Sequence, residues 1–211
     1  MRALILCLVA GWLAGCATTV PTLSQHELAD IKTVFIDDQL GTELSYVQVG
    51  TTMFQGETSS VSDASLFQQL RTGLETALSE EGFALAEMPE RADYVLRLTR
   101  ARTENLRTEA GVDGAGFFTH TRFGFAPGVE PQIKLEAALV RPDDGTVRQS
   151  AVVERRGDAL LKGQVVETWD GFSEAEQKQL LDALRRLARA VPGEVLDALG
   201  LRRDVDRVAE V

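Results

Sequence analysis

Residues 43–54, ELSYVQVGTTMF, alternate in character, with Val47, Val49 and Met53 on one side and Gln48 and Thr52 on the other. A period of two is that of a strand with one buried face. The short apolar run KTVFID (32–37) predicts a buried strand before it. GETSSVSD (56–63) breaks the alternation and predicts a loop, whose end offers Ser62 or Asp63 as a helix cap. Leu66, Phe67, Leu70, Leu74, Ala77 and Leu78 then recur at helical spacing, and Gly82 supplies a left-handed residue to close the helix. Strand patterning returns in FALAE (83–87) and ADYVLRLTRARTE (92–104), where Tyr94, Leu96 and Leu98 oppose Val95, Arg97 and Thr99. QIKLEAALV (132–140) puts Ile133, Leu135, Ala137 and Leu139 on one face. RPDDGTV supplies a turn through Pro142 and Gly145, and RQSAVVERR returns as the partner strand. Ser173 and Glu176 form a capping box ahead of the stripe Leu180, Leu181, Leu184, Leu187 and Val191, and Pro192 opens a further turn. The order predicts an α+β fold, a mostly antiparallel sheet with two main helices packed on one face.

The first sixteen residues follow a different logic. Arg2 gives a positive start, Ala3 to Leu13 carry no charge, and Leu13-Ala14-Gly15-Cys16 follows. Eleven apolar residues suit a secretion signal and fall short of the roughly 20 that span a bilayer as a helix. The tetrapeptide resembles the bacterial lipobox, which implies cleavage before Cys16 and acyl chains on that cysteine. Ala17 follows rather than the aspartate associated with inner-membrane retention, so the resemblance implies the outer membrane, periplasmic face. One acyl chain binds a membrane only marginally and two or more hold it stably. The expected organisation is a signal peptide (1–15), an acylated tether (16–26), one α+β domain (27–200) and a charged tail (201–211).

Cys7 leaves with the signal, so Cys16 is the only mature thiol and lipidation consumes it. The fold therefore rests on burial rather than on disulfides. Without Arg2 the chain holds 21 Lys+Arg (22 − 1) against 32 Asp+Glu, a formal charge of −11. That balance lacks the cationic footprint of a nucleic-acid binder and gives no general attraction to anionic headgroups.

Three landmarks, Gly82-Phe83, Ala92-Asp93-Tyr94 and Asp144-Gly145, resemble those of small envelope lipoprotein domains. Similar patterns occur in the curli secretion lipoprotein, the peptidoglycan-synthase activator lipoprotein and the amino-terminal domain of the periplasmic Tol translocation protein. The resemblance implies action by binding other proteins or by assembling into rings.

Candidate chemistry is sparse. The mature chain has His26 and His120 in different surroundings and no free thiol, too little for a zinc site. Nucleophile-elbow, metalloprotease and Walker motifs are absent from the sequence, so no catalytic residue, metal or cofactor is expected. Trp169 and Phe172 are expected to plug the core beneath the second helix. The unusual segment is GVDGAGFFTHTRFGFAPG (111–128), with four of the nine phenylalanines among five glycines. Its rings could pack over the sheet, form an apolar interaction patch (Phe117, Phe118, Phe123, Phe125), or cross a membrane as a hairpin. A barrel hairpin needs clean alternation over 9 to 11 residues, and neither face here is clean. The expected function is a non-enzymatic lipoprotein acting through an envelope protein partner. The alternative is an oligomeric outer-membrane secretion or transport component. The oligomeric state is left open.

Overall fold

The structure, a computed structural model, describes residues 23–49, 56–105, 108–120, 128–164 and 166–203. It opens on a short helix, α1 (Gln25–Asp30), capped by Ser24. The Ser24 hydroxyl accepts from the Glu27 N–H, and the Glu27 carboxylate accepts from the Ser24 N–H. Leu23, Leu28 and Ile31 around this helix are buried. Residues 23–26, expected in a tether, therefore belong to the folded body. The Ser-x-x-Glu spacing at 24–27 carried that signal.

The short apolar run forms β1 (Thr33–Asp38), and the alternating segment forms β2 over Glu43–Val49, its remainder with Thr52 and Met53 lying outside the described residues. Where a loop was expected, residues Gly56–Ser62 form β3, antiparallel to β2 from Glu43↔Ser62 to Val49↔Gly56. Val61 is buried while Thr58 and Ser60 are exposed, so the hydroxyl-rich sequence is that of an edge strand with one wet face. Helix α2 (Ala64–Glu80) starts from Asp63, whose carboxylate accepts from the Ser65 N–H. It buries Leu66, Phe67, Leu70, Leu74 and Leu78, and Gly82 follows at φ +80°. Next come β4 (Ala84–Leu85), β5 (Tyr94–Arg100), β6 (Arg102–Asn105), β7 (Thr108–Asp113) and β8 (Ala115–His120). The expected hairpin is β9 (Val129–Val140) and β10 (Val147–Arg156). Helices α3 (Glu174–Ala188) and α4 (Val191–Ala198) complete the body.

The main sheet runs β3-β2-β8-β9-β5-β1-β4, with β10 also paired to β9. It is mixed: β1 is parallel to β4 and β5, and β2 to β8, while β9 is antiparallel to all three of its neighbours. β10 pairs with residues 132–140 of β9, β5 with 135–140 and β8 with 129–133. β5 and β8 therefore share one edge of β9, end to end, and β10 takes the other. Between β5 and β8 the chain leaves the sheet as the β6–β7 ribbon. The helices lie on one face, above one contiguous apolar core. The fold is α+β, as the pattern predicted.

The Ala92-Asp93-Tyr94 landmark has a physical role. The Asp93 carboxylate accepts the N–H groups of Lys32 at 2.7 Å and Thr33 at 2.8 Å, fixing the start of β1 beside β5. The C-terminal boundary also moves. Leu201 is fully buried, the Arg203 guanidinium sits 4.1 Å from the centre of the Phe83 ring, and Glu81 accepts from Arg202 and from the Arg203 N–H. Residues 201–203, expected in a charged tail, are packed against α2. Buried Leu201 and two cations with acidic and aromatic partners hold them there.

Candidate functional site

The Phe/Gly stretch supplies the most unusual local arrangement, and the structure divides it. Gly114, at φ +77°, turns β7 into β8; a side chain there would meet Arg100. Gly116 faces the backbone of β2, and a Cβ built on it would lie 1.9 Å from the Ser45 carbonyl oxygen. The glycine lets the parallel strands β2 and β8 approach with Ser45 opposite Gly116. Successive residues of β8 then point to opposite faces, as strand geometry requires.

Phe117 points to the helix side and is fully buried. Its ring stacks on Trp169 at 5.1 Å and 19°. Tyr46, directly opposite Phe117 on β2, meets Phe172 edge-on at 5.3 Å, and Phe172 meets Trp169 at 5.8 Å. The Tyr46 hydroxyl donates to the Val166 carbonyl at 2.5 Å, and burial pushes its pKa up to about 12. Phe117 is thus a core residue and not part of an exposed patch. Its face of β8 lies under the segment that leads into α3, where the rings of Tyr46, Phe117, Trp169 and Phe172 interlock. Trp169 and Phe172 plug this core, as the sequence reading expected.

Phe118 points to the reverse face. It is half-buried and packs against Val47 and Val112, which the β6–β7 ribbon brings over β2. Thr119 returns to the inner face, its hydroxyl donating to the Gly128 carbonyl at 3.0 Å. Phe123, Phe125 and Cys16 lie outside the described residues. Of the two candidate phenylalanines among the described residues, Phe117 is enclosed and Phe118 is partly accessible.

A concavity lies between α2 and α4. This groove, of about 670 Å³, is lined by Gln68, Thr72, Gly73, Thr76, Pro192 and Gly193, with Arg189 and Arg202 at its rim. Gly73 permits the close packing, since a Cβ there would meet Pro192 at 2.8 Å. Amides and hydroxyls give the groove hydrogen-bonding capacity, and among the latter the Ser65 hydroxyl donates to the Asp63 cap at 2.5 Å.

Several carboxylates are held below their ordinary range. The Glu27 pKa falls to about 2, through the Ser24 N–H first and the Arg148 guanidinium next. For Glu81 and Asp93, burial pushes upward, but bonds from Arg202 and Arg203, and from Lys32 and Thr33, outweigh it and lower both. A general acid at neutral pH needs the opposite shift. Among the described residues, no three His, Cys, Asp or Glu side chains lie together as a metal site would require.

No protein-family model matches the chain. No curated protein matches it in sequence either. Among solved structures, protein XCC0632 of Xanthomonas campestris superposes with a TM-score of 0.46 at 14% identity, over 87% of each chain. The PelC dodecamer subunit of Paraburkholderia phytofirmans gives 0.39 at 15% identity, over 85% of this chain and 92% of that one. A minor lipoprotein of Acinetobacter baumannii gives 0.37 at 14% identity, over 79% and 91%. These are distant likenesses of chain layout.

Sequence reasoning missed several residues that organise the fold. Gln149 is buried; its carboxamide accepts from the Leu23 N–H and donates to the Ala198 carbonyl, joining the start of the body to the end of α4. Arg185 of α3 donates to buried Asp63 at 2.9 Å and ties α3 to the cap of α2. Both contacts join residues more than a hundred positions apart, and no local pattern announces them.

Proposed function

We infer that the chain is an acylated lipoprotein of the bacterial envelope, held through Cys16 in the periplasmic face of the outer membrane, and that it acts through contacts with another envelope protein. The observation that carries this reading is the lipobox-like tetrapeptide Leu13-Ala14-Gly15-Cys16, followed by a folded body in which Leu23 is already buried. An acyl anchor placed so close to a compact body is suited to presenting that body at a membrane. The absence of general cationic character leaves the acyl chains to supply the attachment. Phe118, with Phe123 and Phe125 beyond the described strand end, is the patch proposed to meet the partner, since aromatic anchors dominate protein interfaces. The test is incorporation of labelled palmitate in cells, compared with a Cys16→Ser chain. The reading expects label only with cysteine present, and loss of envelope sedimentation in the variant. A Cys16→Ser chain that still sediments with envelopes refutes it.

One observation favours a second reading, self-assembly into a secretion or transport component. The Gly157 N–H donates to the Pro131 carbonyl, so by antiparallel alternation the odd residues of β10 face β9. The backbone groups of Ser150, Val152 and Glu154 then face outward, and among the described residues no strand pairs with that edge. Val152 is 56% exposed there. An open edge of this length templates pairing with another chain. Light scattering on the delipidated protein at micromolar concentration separates the two: a stable monomer refutes assembly.

A further inference from the structure

The directions of the strands define two ends of the body. At one end lie α1, the starts of β1, β5 and β10, the end of β9, the β9–β10 turn and the end of α4. At the other end lie the last residues of β2 and β8, the first of β9, and the Leu160 backbone, which pairs with Val129. β9 alone, at about 3.4 Å per residue, separates the two ends by roughly 37 Å.

The chain joins the body at the first of these ends. The Leu23 N–H is bonded to Gln149 near the start of β10, and Glu27 is paired to Arg148 at 2.7 Å. Between Cys16 and Leu23 there are seven Cα steps, which span at most about 25 Å. That leash is shorter than the body is long.

We propose that the end of the body formed by α1, the β9–β10 turn (141–146) and the C-terminus of α4 is the one that meets the lipid headgroups. The opposite end, where β8 leads into the Phe/Gly segment, stands away from the anchored leaflet and meets a protein rather than that bilayer. This rests on acylation at Cys16. The body would have to tip onto its flank to bring His120 or Val129 to the lipid. Its formal charge of −11 after signal removal (21 − 32) supplies no general attraction that would hold it there. The exposed β9–β10 turn itself carries Asp143 and Asp144, so the leash, and not affinity for lipid, sets the orientation.

The test uses the full acylated chain in vesicles of phosphatidylethanolamine and phosphatidylglycerol that carry a headgroup nitroxide. With Cys7 cleaved off and Cys16 acylated, an introduced cysteine is the only free thiol. Asp143→Cys and Lys162→Cys, both at exposed positions, mark the two ends for a thiol-reactive fluorophore. Quenching at position 143 is expected to exceed that at 162 by at least threefold. Inserting ten Gly/Ser residues after Thr22 is expected to abolish the difference. Equal or stronger quenching at 162 overturns the proposed orientation, and a difference that survives the longer leash overturns its cause. A chain that does not bind vesicles at all refutes acylation instead, and the orientation falls with it.

Discussion

Replacing Phe117 and, separately, Phe118 by alanine tests how the structure divides the Phe/Gly stretch. The two residues are adjacent, chemically identical and on one strand, so composition and local propensity cancel between the variants. Phe117 has no exposed surface and stacks on Trp169. Truncating a buried phenylalanine costs about 3–5 kcal/mol, because transfer free energy is lost and a cavity remains. Stacking accounts for about 1 kcal/mol of that. Phe118 is half-buried in a cluster of three apolar side chains. Half of the 1.5–3 kcal/mol for full burial gives about 1 kcal/mol. For a body of this size each kcal/mol moves Tm by about 2–4 °C, so Phe117→Ala should lower Tm by about 10 °C and Phe118→Ala by about 3 °C. Urea denaturation of a leaderless Cys16→Ser chain measures both differences at constant m. Equal losses, or a larger loss at Phe118, would show that the faces of β8 are assigned the wrong way round. The interface reading adds a second expectation, that Phe118→Ala weakens partner capture more than Phe117→Ala does when both are folded.

Gly116→Ala places a methyl group against the Ser45 carbonyl; it should cost about 3 kcal/mol or more by overpacking and breaking parallel pairing, seen as loss of amide protection along β2. Asp63→Ala removes the α2 cap and leaves Arg185 without its buried partner, so a loss of about 2–3 kcal/mol is expected by urea denaturation, largely restored by Asn at the cap. Because the folded Asp93 pKa is lowered, the unfolded chain binds more protons in acid. Its contribution is therefore present above the ordinary Asp pKa and lost as pH falls through the lower folded value. Asp93→Asn should reduce stability at pH 7 and flatten its decline between pH 5 and 2; an unchanged acid slope would count against this role. For Tyr46 the sign reverses: its folded pKa of about 12 makes its contribution present below pH 10 and lost between pH 10 and 12, and Tyr46→Phe should remove that alkaline loss.

How much of this was legible in the sequence depended on how far apart the partners are. The β9–β10 hairpin was read correctly because alternation and turn chemistry sit in one continuous segment. α2 and α3 were read from an apolar stripe with Asp63 or Ser173 ahead of it. β3 was missed because a strand at an edge needs only one apolar anchor, Val61, and its remaining hydroxyl residues resemble a loop. The parallel pairings of β1 with β5 and β2 with β8 link segments about 60–70 residues apart, and nothing local encodes them. Within 111–128, no local pattern marks a split of the stretch at Gly114. The contact with Arg100 that explains the split exists only once β5 is in place. The same limit applies to Phe117 and Phe118: alternation alone separates their faces, but which one turns inward depends on where Trp169 arrives from.

Because β5 and β8 lie end to end along a single strand, β9 works as the axle of the molecule. Two half-sheets hang from it, and among the described residues no other strand is shared between them. A one-residue deletion inside β9 would flip side chains relative to both halves at once. Length variation should therefore be excluded from the axle.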